Sequence, residues 1–422
     1  MEKENEAHSS ESKGISHGVK RVLIFSLGYF PNAVGGAEVA IKEITQRIPD
    51  IEFHMVTNRY DSTLPKVEKI GSILVHRIGI SSKRPSIADL RRWPLHLNKF
   101  LYQFLAAWKA IKLHRTYKYD ALWAMMAHSC GVPAAIFKMR NMDVPYVLTL
   151  QEGDPPAYIE RKMWLLWPFF KRAFTSADIV QAISTFLGKW ATHRGFKGPL
   201  EIIPNAVDIQ HFSEEPPLYL VNEIKDGLSK RMGDVFVITT SRLVHKNAVD
   251  DVIRALPKLQ ENVKFIILGV GPDEAKLKKL AKDLNVAKRV QFVGQVSHAD
   301  LPKYLKACDI FIRPSRSEGM GNSFVEAMAV GLPVVATQEG GIADFLFDER
   351  RDPDKPVTGW AVDKDSPEQI VLTIKEIISR PEKVRAVVAT ARETVKEKYD
   401  WDIIAGDMWE KVFARLFEVR SK

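Results

Sequence analysis

"DIFIRPSRSEGMGNSFVEAMAVGLPVVATQEG", residues 309–340, passes from strand to loop to helix to strand without interruption. "DIFIRPS" is a short apolar run of the kind buried on both faces of a sheet. "SEGMGN" is a loop punctuated by Gly319 and Gly321. "SFVEAMAV" has helical spacing and is closed by Gly331. "PVVATQEG" is apolar again. A strand–helix–strand unit of this kind predicts parallel pairing and an α/β fold. Open α/β sheets bind ligands beyond the carboxyl ends of their strands, which puts the "SEGMGN" loop at a ligand site. The spacing predicts Asn322 or Ser323 as helix N-cap, and Ser323-x-x-Glu326 matches a capping box. Glu318 stands beside a helix start whose free amides favour anions. A carboxylate there needs another partner, such as hydroxyl groups.

Working outward, the same alternation fills the second half of the chain. "DVFVITTSRL", "VKFIILGVG" and "VQFVG" read as strands, with "AVDDVIRALPKL", "DEAKLKKLAKDL" and "ADLPKYLKAC" as helices between them. The first half repeats the order of elements. "KRVLIFSLGYFP", "EFHMVTN", "ILVHRIG", "ALWAMMAH" and "YVLTLQEG" are its apolar runs. The pattern predicts two doubly wound, Rossmann-like domains facing across a cleft. The expected boundaries are a disordered polar tail over 1–18, a first domain over 19–212, a linker over 213–233 containing Pro216 and Pro217, and a second domain over 234–398. Residues 399–422 read as an amphipathic helix. Trp401, Met408, Trp409, Val412, Phe413 and Leu416 are available to pack on the first domain.

Composition narrows the function. No run approaches the roughly 18 apolar residues of a spanning helix, and "MEKENEAHSSESKGISHG" lacks an apolar signal core, so a cytoplasmic protein is expected. Two cysteines, Cys130 and Cys308, make no disulfide framework. The net charge of +9 and pI of about 9.2 suit acidic partners. No zinc-finger spacing or RRM-type aromatic run points to nucleic acid. Phosphate-bearing small molecules and anionic membrane surfaces fit better. Residues 83–118 carry nine Lys or Arg against one acid, Asp89, with Trp93, Phe100, Phe104 and Trp108 interleaved. That suits the inner face of an anionic membrane, or equally a core-facing helix with a solvated basic side.

Several strand-end residues carry candidate chemistry. Gly35 and Gly36 in "GYFPNAVGGAEVA" permit close backbone approach at a helix start, or simply form a tight turn. In "SRLVHKN", Arg242 and Lys246 suit a diphosphate, one as a fork and one as a point charge; solvated surface charge is the alternative. Gly269 and Gly271 in "ILGVGPDEAKL" make half of a dinucleotide fingerprint, too little to imply NAD. His128 ends the "ALWAMMAH" run. Glu152 and Asp154 in "TLQEGDPP" can accept from an acceptor hydroxyl or open a turn before Pro155. No metal is expected. "DPD" at Asp352–Asp354 lies in a charged loop, and the histidines lack ligand spacing.

Taken together, "SRLVHKN", "ILGVGP", "VQFVGQV" and the 309–340 stretch resemble the retaining glycosyltransferases of family 4, which have the GT-B fold; "IIPNAVDIQHF" is similar to that family's entry into the interdomain region. The resemblance spans roughly residues 20–415. It implies a metal-independent transferase without cofactor. A nucleoside diphosphate sugar is the donor, and a sugar or lipid-linked molecule accepts on a hydroxyl, as in cell-envelope glycan or glycolipid synthesis. The first domain would take the acceptor and the second the donor. Arg242 and Lys246 would stabilise the departing diphosphate. Glu318 would contact the donor sugar, with His128 near sugar and acceptor, and Glu326 would take the ribose. Gly35, Gly36, Gly269, Gly319, Gly321, Asn322 and Ser323 would contact the donor, and Glu152 and Asp154 the acceptor. The chain departs from the family where it has "GMGNS" after Glu318 and "QEGD" in place of a His–Asp pair, which bears on the acceptor. An epimerase, a phosphorylase or a non-catalytic sugar-nucleotide binder on the same fold are the alternatives.

Overall fold

The apolar runs become two parallel sheets. A computed structural model describes residues 19–32, 35–86 and 89–419; the tail expected over 1–18 lies outside the described residues. The first sheet contains β1 (Lys20–Phe25), β2 (Ile51–Asn58), β3 (Val67–Ile70), β4 (Ile73–Ile78), β5 (Ala121–Met125), β6 (Tyr146–Leu150), β7 (Ile179–Ala182) and β8 (Leu200–Ile202). Their order is β3-β4-β2-β1-β5-β6-β7-β8, all parallel except the β3–β4 pair. The second sheet contains β9 (Val235–Thr240), β10 (Val263–Leu268), β11 (Val290–Gly294), β12 (Ile310–Arg313), β13 (Val334–Ala336) and β14 (Trp360–Ala361), ordered β11-β10-β9-β12-β13-β14. In each sheet the chain winds outward in both directions from its first strand, β1 or β9. The loops after β1, β5, β9 and β12 therefore flank the switch points where α/β sheets bind ligands.

The central strands are fully buried. Val22, Leu23, Ile24, Phe25, Trp123 and Phe265 have no exposed surface. Burial on both faces favours a continuous apolar run over alternation. Residues 213–233, expected as linker, include a helix, Leu218–Gly227, which buries Val221 and packs on the helix Leu301–Lys306. Downstream, the helix Pro381–Lys398 packs on Asn322–Val330. The chain then returns across the cleft, where Asp400 bridges to Val207.

The terminal helix runs unbroken over 401–419, with a π-helical turn, Met408–Phe413, between its α-helical parts Trp401–Asp407 and Ala414–Val419. The wider turn shifts the register, so Trp401, Met408, Val412, Phe413 and Leu416 join the core of the first sheet while Trp409 stays 37% exposed. Phe413 stacks edge-on against Trp123 and Phe53 at centroid distances of 5.4 and 6.0 Å. Burying a side chain of this size contributes about 1.5–3 kcal/mol. Arg47–Asp402 and Arg415–Glu201 ion pairs flank the contact.

Candidate functional site

A cavity of about 850 Å³ opens between the carboxyl ends of the two sheets. Gly35, Gly36, Met126, Gln151 and Asn205 line it from one side. Arg242, Lys246, Glu318, Gly319, Gly321, Asn322, Ser323 and Glu326 line it from the other. The walls touch across the cleft. Lys246 Nζ donates to Gly153 O at 2.7 Å and lies 3.6 Å from Asp154 Oδ1. Asn205 Nδ2 donates to Asn322 Oδ1 at 3.3 Å. Asn205 is also paired with Gln151, at 3.0 and 3.3 Å.

The cationic loop follows β9. Arg242 is exposed at the cavity wall. The turn that carries Lys246 is braced by Arg316, whose amide donates to Lys246 O at 2.7 Å and whose Nη1 donates to His245 O at 2.8 Å. Arg316 is held in turn by Asp250, Asp251 and Asp365 at 2.9, 2.9 and 2.6 Å. Burial pushes the Asp251 carboxyl up to about 6 despite that arginine. Neither Arg316 nor its three acids is legible as a unit in sequence, because they lie in separate segments.

Gly269 does not reach the cavity wall. It holds φ +134°, and a Cβ there would lie 1.9 Å from Ser241 O. Its role is to let the turn after β10 press against the cationic loop from behind, and its amide is bonded to Gly294 O at 2.6 Å.

The loop after β12 begins beside a residue that sequence reading missed. Arg313, at the end of the strand, donates to Glu318 Oε2 at 2.9 Å and to Thr240 O at 3.3 Å. Burial lowers its pKa, partly offset by Glu318 and Glu326. An arginine closing an otherwise apolar strand is the signal that could have found it. Glu318 Oε1 accepts from Gly319 N at 3.2 Å.

The helix begins at Asn322, with Gly321 as N-cap at φ +90° and no side-chain cap. The capping box does not form, since Ser323 is already inside the helix. Among the described residues its buried Oγ has no hydrogen-bond partner. Glu326 instead faces His298, 3.5 Å from Nε2, and the contact raises the His298 pKa. Asn322 spends its side chain on Asn205 rather than on capping.

On the opposite wall β5 stops at Met125. Met126, at φ +71°, turns the chain into a π-helical turn, Ala127–Gly131, which carries His128. His128 thus lies one turn past the strand end, 38% exposed, with Nδ1 3.4 Å from Glu152 Oε1. Glu152 is buried, and its Oε1 accepts from Ala127 N at 2.6 Å. It braces the His128 turn through Oε1, while its Oε2 is buried with no hydrogen-bond partner among the described residues. Asp154 remains half exposed beside Lys246. The helix Gly36–Arg47 has no side-chain cap, and the Glu38 carboxylate stands beside its start, with Oε2 2.9 Å from where a Cβ on Gly35 would lie. Burial raises the Glu38 pKa. Asn205, Gln151 and Glu38 complete the residues that sequence reading did not single out.

Among the described residues no group of three or more His, Cys, Asp or Glu converges as metal ligands. In "DPD", Asp352 accepts from Gln338 Nε2 at 2.6 Å and from Asp348 N at 3.2 Å.

Residues 34–211 match the family model described as Glycosyltransferase Family 4, and residues 221–394 match Glycosyl transferases group 1. The chain is 33% identical over 401 residues to an uncharacterized glycosyltransferase of Methanocaldococcus jannaschii, covering 91% of this chain and 96% of that one. It is 29% identical over 249 residues to the GDP-mannose-dependent alpha-(1-6)-phosphatidylinositol monomannoside mannosyltransferase of Mycobacterium tuberculosis. That match spans 56% of this chain and 62% of the relative's length. The structure of Anabaena HepE in complex with UDP-glucose superposes with a TM-score of 0.74 at 20% identity, over 93% of this chain and 99% of that one. The shared architecture is GT-B.

Proposed function

Because the chain belongs to the family 4, group 1 glycosyltransferases, we propose that it moves a sugar from a nucleoside diphosphate donor to an acceptor hydroxyl with retention of configuration and without a metal. One observation carries this reading. Arg242, Lys246, Glu318 and Glu326, from two separate segments, line one interdomain cavity of about 850 Å³. The two cations stabilise charge on the departing diphosphate, the kind of preorganised electrostatics that supplies much of enzymatic rate enhancement. Glu318 accepts from hydroxyls of the donor sugar, and Glu326 from the ribose. The leaving phosphate takes the acceptor proton, so no separate general base is required. His128 stands near sugar and acceptor, oriented by Glu152. Incubation with UDP-glucose, GDP-mannose and other nucleotide sugars tests the reading. It predicts release of the nucleoside diphosphate, an unchanged anomeric configuration in the product and full rate in EDTA. An inverted product, or no diphosphate from any donor, contradicts it.

The acceptor is a sugar or a lipid-linked molecule presented at an anionic membrane, in keeping with the phosphatidylinositol acceptor in the name of the mycobacterial relative. Support comes from the first domain's surface. Trp93 is 79% exposed, Trp108 58% and Trp164 74%. Lys112 lies 3.6 Å above the Trp108 ring. Among the described residues no helix is long and apolar enough to cross a membrane. The exposed tryptophans and the basic stretch support peripheral contact at the cytoplasmic face as the proposed mode. Flotation with anionic vesicles but not neutral ones is expected. Equal recovery with both contradicts the membrane reading alone.

A further inference from the structure

We infer that Arg313 is the positioning residue for Glu318, fixing one carboxylate oxygen so that the other faces the donor sugar. The inference deepens the glycosyl-transfer reading and rests on it.

The guanidinium is held on three sides. Its Nη2 donates to Glu318 Oε2 at 2.9 Å, its Nη1 to the β9 carbonyl of Thr240 at 3.3 Å, and its flat face lies 4.2 Å from the centre of the Phe324 ring. Both side chains of the pair are nearly inaccessible, 8% exposed for Arg313 and 13% for Glu318. Two charges withdrawn from water stay there only in good mutual geometry. The loop is shaped around the pair. A Cβ on Gly321 would come within 2.7 Å of Arg313 Nη2 and 2.6 Å of the Phe324 ring, at a φ of +90° that side chains rarely adopt. Glycine at 321 is therefore a requirement of the guanidinium beneath it.

The consequence concerns chemistry. Glu318 Oε2 is committed to arginine. Oε1, bonded to Gly319 N at 3.2 Å, is turned toward Gly153 on the acceptor-side wall, where a Cβ would lie 3.5 Å from it. A carboxylate that shares its charge with a buried guanidinium is a weak nucleophile and a well-oriented hydrogen-bond acceptor. Glu318 thus acts as a fixed acceptor for sugar hydroxyls and forms no ester with the sugar. Lysine at 313 would keep the charge but lose the fork and the stacking face.

Arg313→Lys, Arg313→Met, Glu318→Gln and the Arg313→Met/Glu318→Gln double variant test this. Turnover is read as UDP released from UDP-glucose or GDP from GDP-mannose, whichever the wild type hydrolyses. Binding of the free nucleoside diphosphate and Tm are measured beside it. Arg313→Lys should lose at least tenfold in kcat and bind the diphosphate within about threefold of wild type. Arg313→Met should lower kcat strongly in the wild-type background but by less than threefold in Glu318→Gln, since residues acting as one unit are not additive. An equal loss in both backgrounds, or near-wild-type kcat in Arg313→Lys, overturns the inference. Should Arg313→Met alone fail to fold, the lysine variant decides. Glu318→Gln with wild-type kcat overturns the site reading itself. An impaired Glu318→Gln beside an intact Arg313→Lys overturns only the role of Arg313.

Discussion

Two helices start at the cleft, Gly36–Arg47 from the first domain and Asn322–Val330 from the second, and they differ in what stands beside their starts. Both have a glycine as N-cap, and both carry the partial positive charge of a helix start. Neither has a side-chain cap, but the first has the chain's own Glu38 carboxylate beside its start, while at the second Asn322 reaches across to Asn205. Arg242 and Lys246 lie on the same side as this second helix. The same local motif thus has an acid beside it in the first domain and two cations beside it in the second. On the proposed reading a diphosphate goes to the second domain, and the first domain's face is left for neutral hydroxyls.

The largest expected effect tests the second domain's wall. Arg242→Ala and Lys246→Ala should each weaken UDP or GDP binding by about tenfold to a hundredfold, since charge-assisted hydrogen bonds contribute roughly 1.5–3 kcal/mol. Calorimetry on the free nucleotides measures it. Next comes the helix itself. Without a capping box, Ser323→Ala should leave Tm nearly unchanged, and Glu326→Ala should raise the donor KM several-fold. A fall in Tm shared by both variants would restore the capping reading.

The two domains and the second wall were legible in sequence, the part of Glu38 in the first was not, and the limits have physical causes. Long apolar runs such as "KRVLIF" and "VKFIIL" mark central strands because burial on both faces demands them. Val67–Ile70, Ile179–Ala182, Leu200–Ile202 and Trp360–Ala361 escaped because two to four residues carry too little periodicity. Strand-end logic located the loops that carry Arg242, Lys246 and Glu318. It did not reveal what stands behind them. Arg313, Arg316 and Glu152 act through contacts with residues distant in sequence or hidden by a turn. The capping box failed for a related reason: its spacing fits, but with Gly321 as N-cap the helix starts two residues earlier, at Asn322.

A smaller effect lies in pH. The Glu326 contact raises the His298 pKa, with Asp208 and Glu43 adding to it. A raised histidine pKa contributes stability that is complete below the unfolded value of about 6.5 and is lost as pH rises through the folded value. On the proposed ribose role of Glu326, protonated His298 also competes for that carboxylate. Nucleotide affinity should therefore increase from pH 5.5 to 8 in the wild type and flatten in His298→Ala. The opposite sign holds at His76, which burial, with Lys109 and His54 nearby, pushes down to about 4. Its contribution is complete above about pH 6.5 and is lost as pH falls toward 4. His76→Phe should shallow the acid side of the Tm profile and leave turnover alone.

The contrast between the two walls is tested most directly by titrating UDP and GDP into Glu38→Gln beside Lys246→Ala. Neutralising Glu38 removes a half-buried carboxylate from the first domain's helix start, so the account predicts diphosphate affinity equal to or tighter than wild type. Lys246→Ala should lose tenfold or more. Comparable losses in both variants would mean that the first domain's helix start holds the diphosphate as well, and would contradict the account.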